Sequence, residues 1–186
     1  MSGGETSSKL VFVIHKHKAT SLHYDFRLEI GGVMPSWSIP KGPTLDSRPK
    51  RLAMPTGDHA LPYRNFEGNI AKGEYGAGPV MIWDQGTYDP EDEPRKGVRT
   101  RIQGRKEAEA AAAGGLEAGN LKFFLYGDKL KGSFALVKAP SLGKKFWLLI
   151  KHRDEYSAEG YDANDYDFSA VTHRSLGQIA GDQTLI

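Results

Sequence analysis

The chain has 186 residues, contains no cysteine and carries a formal net charge of +2, with 26% of its residues charged. This length fits a single domain with a substantial core. Without cysteine there are no disulfides and no thiolate metal sites, so any metal must be bound by histidine and carboxylate groups. No apolar run approaches the ~18 residues of a membrane span, and residues 1–8 are polar and lack the apolar segment of a signal peptide. We expect a soluble, cytoplasmic protein whose residues 1–8 are disordered.

Most of the chain predicts short strands separated by glycine-containing turns. Residues 9–17 form the first predicted strand and residues 22–30 the second, which a tight turn at Gly31 and Gly32 joins to a hairpin partner over 33–39. The other predicted strands cover residues 52–54, 79–84, 86–88, 121–126, 132–138 and 146–152. Three aromatic residues are expected in the core: Phe124, Phe134 and Trp147.

Two short helices and one irregular segment complete the predicted elements. Residues 90–104 are rich in charge and are expected to be irregular. The alanine-rich run over 105–113 predicts a helix that ends at Gly114 and Gly115, and a second short helix is predicted over 176–180. Many short strands with one or two flanking short helices predict a mainly β fold, as a compact closed or nearly closed β-barrel.

Charge is distributed unevenly along the chain. Basic residues cluster over 41–51 and again over 95–106, whereas acidic residues gather over 154–167. This distribution is compatible with a partner that presents a phosphate backbone, and two solvated charge patches explain it equally well. We expect the barrel domain over residues 9–155 and a C-terminal extension over 156–186.

The second predicted strand alternates functional and apolar side chains. His23, Asp25 and Arg27 share one face of such a strand. Imidazole and carboxylate groups ligate divalent metals, and a guanidinium group forks onto a phosphate. His17 lies six residues before His23, and a turn between them would bring a second imidazole to the same metal. The pattern favours a site for manganese, magnesium, iron or catalytic zinc next to a phosphate. The alternative is an ordinary strand with one solvent-exposed face. The pattern by itself identifies no reaction.

Further motifs follow this strand in a fixed order. They are HKATSLHYDFRL at 17–28, SW at 36–37, PKGP at 40–43, KRLA at 50–53, DH at 58–59, Tyr63, FEG at 66–68, GEYGAG at 73–78 and WDQGTY at 83–88. Together they resemble the 3′-phosphoesterase domain of bacterial DNA ligase D over roughly residues 9–155. The chain resembles a stand-alone member, because it contains no polymerase or ligase module.

The resemblance implies a manganese-dependent β-barrel enzyme that trims DNA 3′ ends. Such an enzyme removes a 3′-terminal ribonucleotide, leaving a 3′-phosphate, and then removes that phosphate to leave a 3′-OH for repair, notably in non-homologous end joining. The residues similar to the family's metal ligands are His17, His23 and Asp25. Mn²⁺ is the expected metal, with Co²⁺ or Zn²⁺ as alternatives.

The resemblance also implies roles for residues around the metal. Arg27 and His59 match groups that contact phosphate and stabilise the transition state, and Tyr63 matches a further essential position. Lys41 and Arg51 match basic residues that matter more for the phosphatase step. They are expected to bind the terminal phosphate or the strand backbone, and a solvated basic loop explains them equally well. From the residues alone, Tyr63 could equally be a half-buried packing residue with no role in the reaction.

Two positions depart from the family pattern. His15 occupies a place where the family often has glutamine, and it is either a contact in the outer shell of the site or an ordinary strand-end histidine. Gly57 stands two residues before His59, where an acidic residue is common, so an acceptor in the outer shell is missing. Trp37 and Trp83 suit core packing better than base stacking.

Two other functions remain open at this point. The chain could be a catalytically weak nucleic-acid end-binding module in DNA repair. A protein that only binds DNA ends would not need the metal-ligating residues His17, His23 and Asp25. It could also be a metal enzyme for small molecules on a cupin-like barrel, although cupin sites usually offer more imidazoles. The expected partner is a DNA 3′ end at a primer–template or duplex terminus, including one that carries a ribonucleotide. Docking of a separate DNA ligase, polymerase or Ku-type protein is left open, and no membrane partner is expected.

Overall fold

The computed structural model describes residues 9–182, which form ten strands and two α-helices. The strands are β1 (Leu10–Lys18), β2 (Leu22–Leu28), β3 (Val33–Ile39), β4 (Lys50–Ala60), β5 (Gly68–Ile70), β6 (Gly78–Arg95), β7 (Val98–Arg101), β8 (Asn120–Gly127), β9 (Lys131–Lys138) and β10 (Trp147–Lys151). The helices are α1 (Arg105–Ala118) and α2 (Leu176–Gly181). Within the described residues, neither helix is long and apolar enough to cross a membrane.

Eight of the strands close into an antiparallel barrel. They pair in the order β1-β2-β3-β4-β10-β9-β8-β6, and β6 pairs back with β1. Strands β5 and β7 pair with β6 outside this ring. The predicted mainly β, closed barrel with two short helices is therefore confirmed.

Alternation along the strands separates an apolar interior from a polar exterior. Aliphatic and large aromatic side chains fill the barrel, and the aromatic ones include Phe12, Tyr24, Phe26, Trp37, Trp83, Phe123, Phe134 and Trp147. On β1 and β2 the intervening residues must point outwards. His15, Asp25 and Arg27 are nevertheless at most 6% exposed. The functional face of β2 is therefore roofed by other parts of the chain, and it is not the wet surface of a strand.

Two predicted elements differ from the structure. Residues 90–104 are not irregular, because β6 continues to Arg95 and pairs with β7 through a turn at Gly97. The helix does not end at Gly114 and Gly115 but runs to Ala118, and Gly119 then ends it with a left-handed φ of 72°. A Cβ at Gly115 would lie 2.8 Å from the side chain of Leu121. That glycine is explained by close packing and not by helix termination.

The core prediction for β8 is wrong by one residue. Phe124 is only half-buried and packs on the outer face against Tyr126 and Tyr156, whereas Phe123 is completely buried. A one-residue shift moves a strand side chain to the other face of the sheet. Phe134 and Trp147 are buried as predicted.

The acidic C-terminal segment packs against the barrel. Lys16 pairs with Asp167 at 3.1 Å, and Lys151 pairs with Asp154 at 2.7 Å. Both lysines are almost fully buried, so the segment neutralises charges that would otherwise be buried without a partner. Ile179 of α2 is fully buried in the main core. The predicted disorder of residues 1–8 lies outside the described residues.

Candidate active site

Strand pairing brings the predicted site residues together. In the β1–β2 register, His15 lies opposite Asp25 and His17 lies opposite His23. In the β2–β3 register, Arg27 lies opposite Ser36. In the β3–β4 register, Met34 lies opposite His59. The outward side chains of these strands line a cavity of about 530 Å³, whose lining includes His17, His23, Asp25, Arg27, His59 and Tyr63.

Three side chains form a group suited to a metal ion. One ligand atom each from His17, His23 and Asp25 lies within 4.8 Å of the others. Oδ2 of Asp25 is 3.8 Å from Nδ1 of His17 and 3.3 Å from Nε2 of His23. Two imidazole nitrogens and one carboxylate oxygen suit manganese, cobalt or zinc, and they leave further coordination positions for substrate. The residues present therefore fit the implied metal.

Backbone carbonyls orient both imidazoles. Nε2 of His17 donates to the carbonyl of Gly76 at 2.7 Å, and Nδ1 of His23 donates to the carbonyl of Ser21 at 3.1 Å. These bonds assign the tautomers, because each ring keeps its proton on the bonded nitrogen. The other nitrogen of each ring faces Asp25. It donates to the carboxylate when the ring is protonated, and it offers a lone pair to a metal when the ring is neutral. Such outer bonds are what holds metal-ligating histidines in place.

Asp25 is ionised in this arrangement. Burial by itself would raise the pKa of Asp25, but hydrogen bonds from His17 and His23 and the charge of Arg27 hold it well below its usual range. The bond to Asp25 raises the pKa of His23. A divalent cation among these groups would take the place of the shared protons.

Arg27 is held at the base of the cavity by four side chains. Its Nε donates to Nδ1 of His15 at 3.1 Å and its Nη1 to Ser36 Oγ at 3.0 Å. Nη1 also donates to Nδ1 of His59 at 3.0 Å, and Nη2 lies 3.4 Å from Oδ2 of Asp25. The guanidinium fork is therefore fixed between the metal group and His59.

His15 is a fully buried partner of Arg27. Burial and the charge of Arg27 lower its pKa to about 3, so the ring is neutral. Its Nδ1 can then accept from Arg27 while Nε2 donates to the carbonyl of Phe66 at 3.0 Å. The outer-shell reading of His15 therefore describes its contacts better than that of an ordinary strand-end histidine.

His59 and Tyr63 form the opposite wall. Burial and the adjacent Arg27 lower the pKa of His59, which matches its role as an acceptor from Arg27. Tyr63 lies in the 3₁₀ turn Leu61–Asn65, with its ring 5.1 Å from that of His59 and 5.1 Å from the guanidinium carbon of Arg27. The ring also stacks on Phe66 at 5.3 Å. Tyr63 therefore both lines the cavity and packs its wall.

Lys41 and Arg51 are outside this cavity lining. Lys41 is exposed in the turn after β3. Arg51 lies opposite the core residue Leu149 in the β4–β10 register, and its buried Nε has no hydrogen-bond partner among residues 9–182. Trp37 and Trp83 are at most 2% exposed and pack in the core, so neither can stack on a base.

Some contributors to the site carry no sequence signal of their own. Ser36 and the carbonyls of Phe66 and Gly76 complete the hydrogen bonds of Arg27, His15 and His17. Gly78 of the glycine-rich motif is a contributor that the sequence does signal. A Cβ at this position would lie 2.0 Å from the carbonyl oxygen of Lys18. Only a glycine allows this close approach, which sets the loop beside the metal group.

Comparison with known families now bears on this geometry. A family model described as the DNA Ligase D 3′-phosphoesterase domain matches residues 15–138. The chain belongs to this family. The match contains every residue of the cavity lining, and it confirms the resemblance inferred from the motifs. Membership supports a role in processing DNA ends during repair.

Three curated relatives are similar over most of this chain. The multifunctional non-homologous end joining protein LigD of Pseudomonas aeruginosa is 42% identical over 151 residues, which is 81% of this chain and 16% of that protein. The LigD repair protein of Mycobacterium tuberculosis is 35% identical over 173 residues, covering 91% and 19%. LigD of Mycolicibacterium smegmatis is 35% identical over 158 residues, covering 85% and 19%. The chain spans less than a fifth of the length of each.

Proposed function

We propose that the chain is a metal-dependent phosphoesterase that processes DNA 3′ ends. It removes a 3′-terminal ribonucleotide and then the remaining 3′-phosphate, leaving a 3′-OH. The observation that carries the proposal is that the His17, His23 and Asp25 group and the Arg27–His59 pair face one cavity. A metal group beside a fixed guanidinium fork suits phosphate-ester hydrolysis, and membership of the family supports DNA ends as the substrate.

The metal is held by His17, His23 and Asp25, with Mn²⁺ expected and Co²⁺ or Zn²⁺ as alternatives. When bound, it supplies Lewis-acid chemistry to a phosphate oxygen. Arg27 binds the same phosphate and stabilises the charge that develops on it. An anionic phosphate beside His59 favours its protonated form, and that imidazolium can donate a proton to the leaving oxygen. Tyr63 holds this wall of the cavity in place.

The two steps follow from one arrangement of these groups. Hydrolysis of the terminal phosphodiester releases the ribonucleoside with its 5′ oxygen protonated and leaves the phosphate on the primer. Hydrolysis of that phosphate monoester then releases inorganic phosphate and leaves the 3′-OH. In both steps Arg27 grips the phosphate and His59 faces the departing oxygen.

The deciding experiment uses a 5′-labelled primer–template whose primer ends in one ribonucleotide, incubated with and without Mn²⁺. We expect shortening to a 3′-phosphate and then to a 3′-OH, only with the metal. The matched variant is Arg27→Lys, which keeps the charge and removes the fork. We expect it to bind Mn²⁺ and to lose about 10²–10³-fold in kcat.

Two results would contradict the proposal. Tight binding of the primer terminus without turnover, in any of the three metals, would indicate an end-binding module. Hydrolysis of a simple chromogenic phosphate ester without action on either a ribonucleotide end or a 3′-phosphate end would indicate a small-molecule enzyme.

A further inference from the structure

Tyr75 is an aromatic residue at the cavity that the proposed reaction does not use. It lines the cavity, and it is fully exposed, more so than any other large hydrophobic residue described. Within residues 9–182 no aromatic or cation–π contact of its ring is found. An isolated exposed tyrosine is unremarkable on a surface, but at the rim of a cavity its uncovered face is a surface for a ligand.

The loop that carries Tyr75 is firmly connected to the site. Its ends are the paired strands β5 and β6, and its turn contains bonds from Glu74 N to Ala71 O and from Ala77 N to Glu74 O, at 3.0 and 3.1 Å. The carbonyl of Gly76, the next residue, accepts the bond from His17. Tyr75 therefore stands one residue from a backbone group bonded to a metal ligand.

The cavity has room for more than a phosphate. Its volume of about 530 Å³ falls in the range of sites that enclose a drug-sized molecule. The metal group, Arg27 and His59 account for a phosphate alone. The lining also includes Ala19, Thr20, Ser21, Ile70 and Tyr75, which together offer apolar, hydroxyl and aromatic surface and no charge.

We propose that Tyr75 stacks on the base of the 3′-terminal nucleotide, an inference that rests on the proposed function. The base at a strand end stacks on its neighbour with one face and leaves the other face open. A single exposed ring can cover that face, and it does so for any of the bases, because each has a π-face. Tyr75 is then a substrate-positioning residue that favours ends carrying a base, whatever its identity.

The test compares two primers with the same protein. One primer ends in a normal ribonucleotide, and the other ends in a ribose that carries hydrogen in place of the base. For the wild type with Mn²⁺, we expect loss of the base to lower kcat/KM by about 5- to 150-fold, which is the value of one base–aromatic stack. For Tyr75→Ala, we expect the kcat/KM values of the two primers to differ by less than about twofold. The fall in kcat/KM for the normal primer should appear mainly as a higher KM.

Replacement variants separate stacking from loop structure. Tyr75→Phe and Tyr75→Trp should restore the preference for the base, and Tyr75→Leu should not, since it keeps apolar volume without a flat ring. Glu74→Gln, an exposed neighbour outside the cavity lining, should keep the wild-type ratio between the primers.

If Tyr75→Ala lowered kcat/KM by the same factor for both primers, the stacking proposal would be overturned and the phosphoesterase proposal would stay intact. A wild type that cleaves both primers equally well would have the same consequence. A wild type that cleaves neither primer would overturn the proposed function, and the role of Tyr75 with it.

Discussion

Two clusters within residues 9–182 contain the residue types of catalysis, and one of them lines the cavity described above. In the cavity site, His17, His23, Asp25 and Arg27 converge on open space. In the second cluster, the hydroxyl of Ser133 bonds both to Oε1 of Glu91 and to Nδ1 of His152. Serine, histidine and a carboxylate are the components of a hydrolytic triad.

The second cluster is arranged for structure. In a triad the histidine stands between the serine and the acid, whereas here the serine stands between the other two. Ser133 is 3% exposed, and its backbone N–H is bonded to Asp154 at 2.9 Å. Both the hydroxyl and the backbone N–H of Ser133 are therefore engaged by neighbouring side chains. Residue types and burial therefore do not identify an active site by themselves. An active site is identified by ligand atoms and hydrogen-bond donors that face the same open cavity.

The largest expected effect comes from removing one cavity ligand. Asp25→Asn keeps the shape of the side chain and removes its charge. Because Lewis-acid assistance to phosphate chemistry is worth several kcal/mol, we expect kcat to fall by at least about 10³-fold. Mn²⁺ binding, measured by calorimetry, should weaken in parallel. Full activity together with full metal binding would show that this group is not the metal site.

The support of Arg27 by His15 should give the next largest effect. His15→Leu leaves Nε of Arg27 and the carbonyl of Phe66 without partners. A small displacement of a positioning group costs up to about 10²-fold in rate, so we expect a loss of about 10- to 100-fold, mainly in kcat.

His15→Gln should restore most of this rate, since its amide can accept from Arg27 and donate to Phe66. Equal losses in the leucine and glutamine variants would mean that these two hydrogen bonds do not position Arg27.

Ser133→Ala tests the other side of the comparison. It removes the bonds to Glu91 and His152 and leaves both side chains half-buried without this partner, so we expect the free energy of unfolding to fall by about 1–3 kcal/mol. Turnover by the folded fraction should stay within about twofold. A large loss of kcat without loss of stability would give the second cluster a role in catalysis.

The smallest predicted effect is a difference in pH dependence. The pKa of His15 is about 3 in the folded chain against an ordinary value of 6.5, so the unfolded chain binds this proton first as pH falls. The stabilising contribution is complete above about pH 6.5 and is lost towards pH 3, at up to about 1.4 kcal/mol per pH unit. Denaturant unfolding in chelator between pH 7 and 5 should show a steeper decline for the wild type than for His15→Gln. Identical slopes would contradict a buried neutral His15.

Much of the site was predictable because strand geometry is regular. Alternation over residues 23–27 placed His23, Asp25 and Arg27 on one face, and the structure shows that arrangement. The roof over that face was not predictable. It depends on the carbonyls of Phe66 and Gly76, and a carbonyl group is the same in every residue type.

The errors in the fold have similarly local causes. The charged side chains of residues 90–104 concealed a hairpin, because a strand outside the barrel ring has little apolar alternation to reveal it. Gly114 and Gly115 predict a helix end from the sequence, and only the tertiary contact with Leu121 explains why Gly115 lies within the helix. Closure of the barrel followed from the number and spacing of the strands.

The hydrogen bond between His17 and the carbonyl of Gly76 ties two properties of the molecule together. An imidazole that ligates a metal must turn with the loop that holds its other nitrogen. We therefore expect a mutation that reshapes residues 71–77 to alter the affinity for the proposed metal as well as the choice of strand terminus. Substrate range and metal requirement would then change together, because one loop contributes to both.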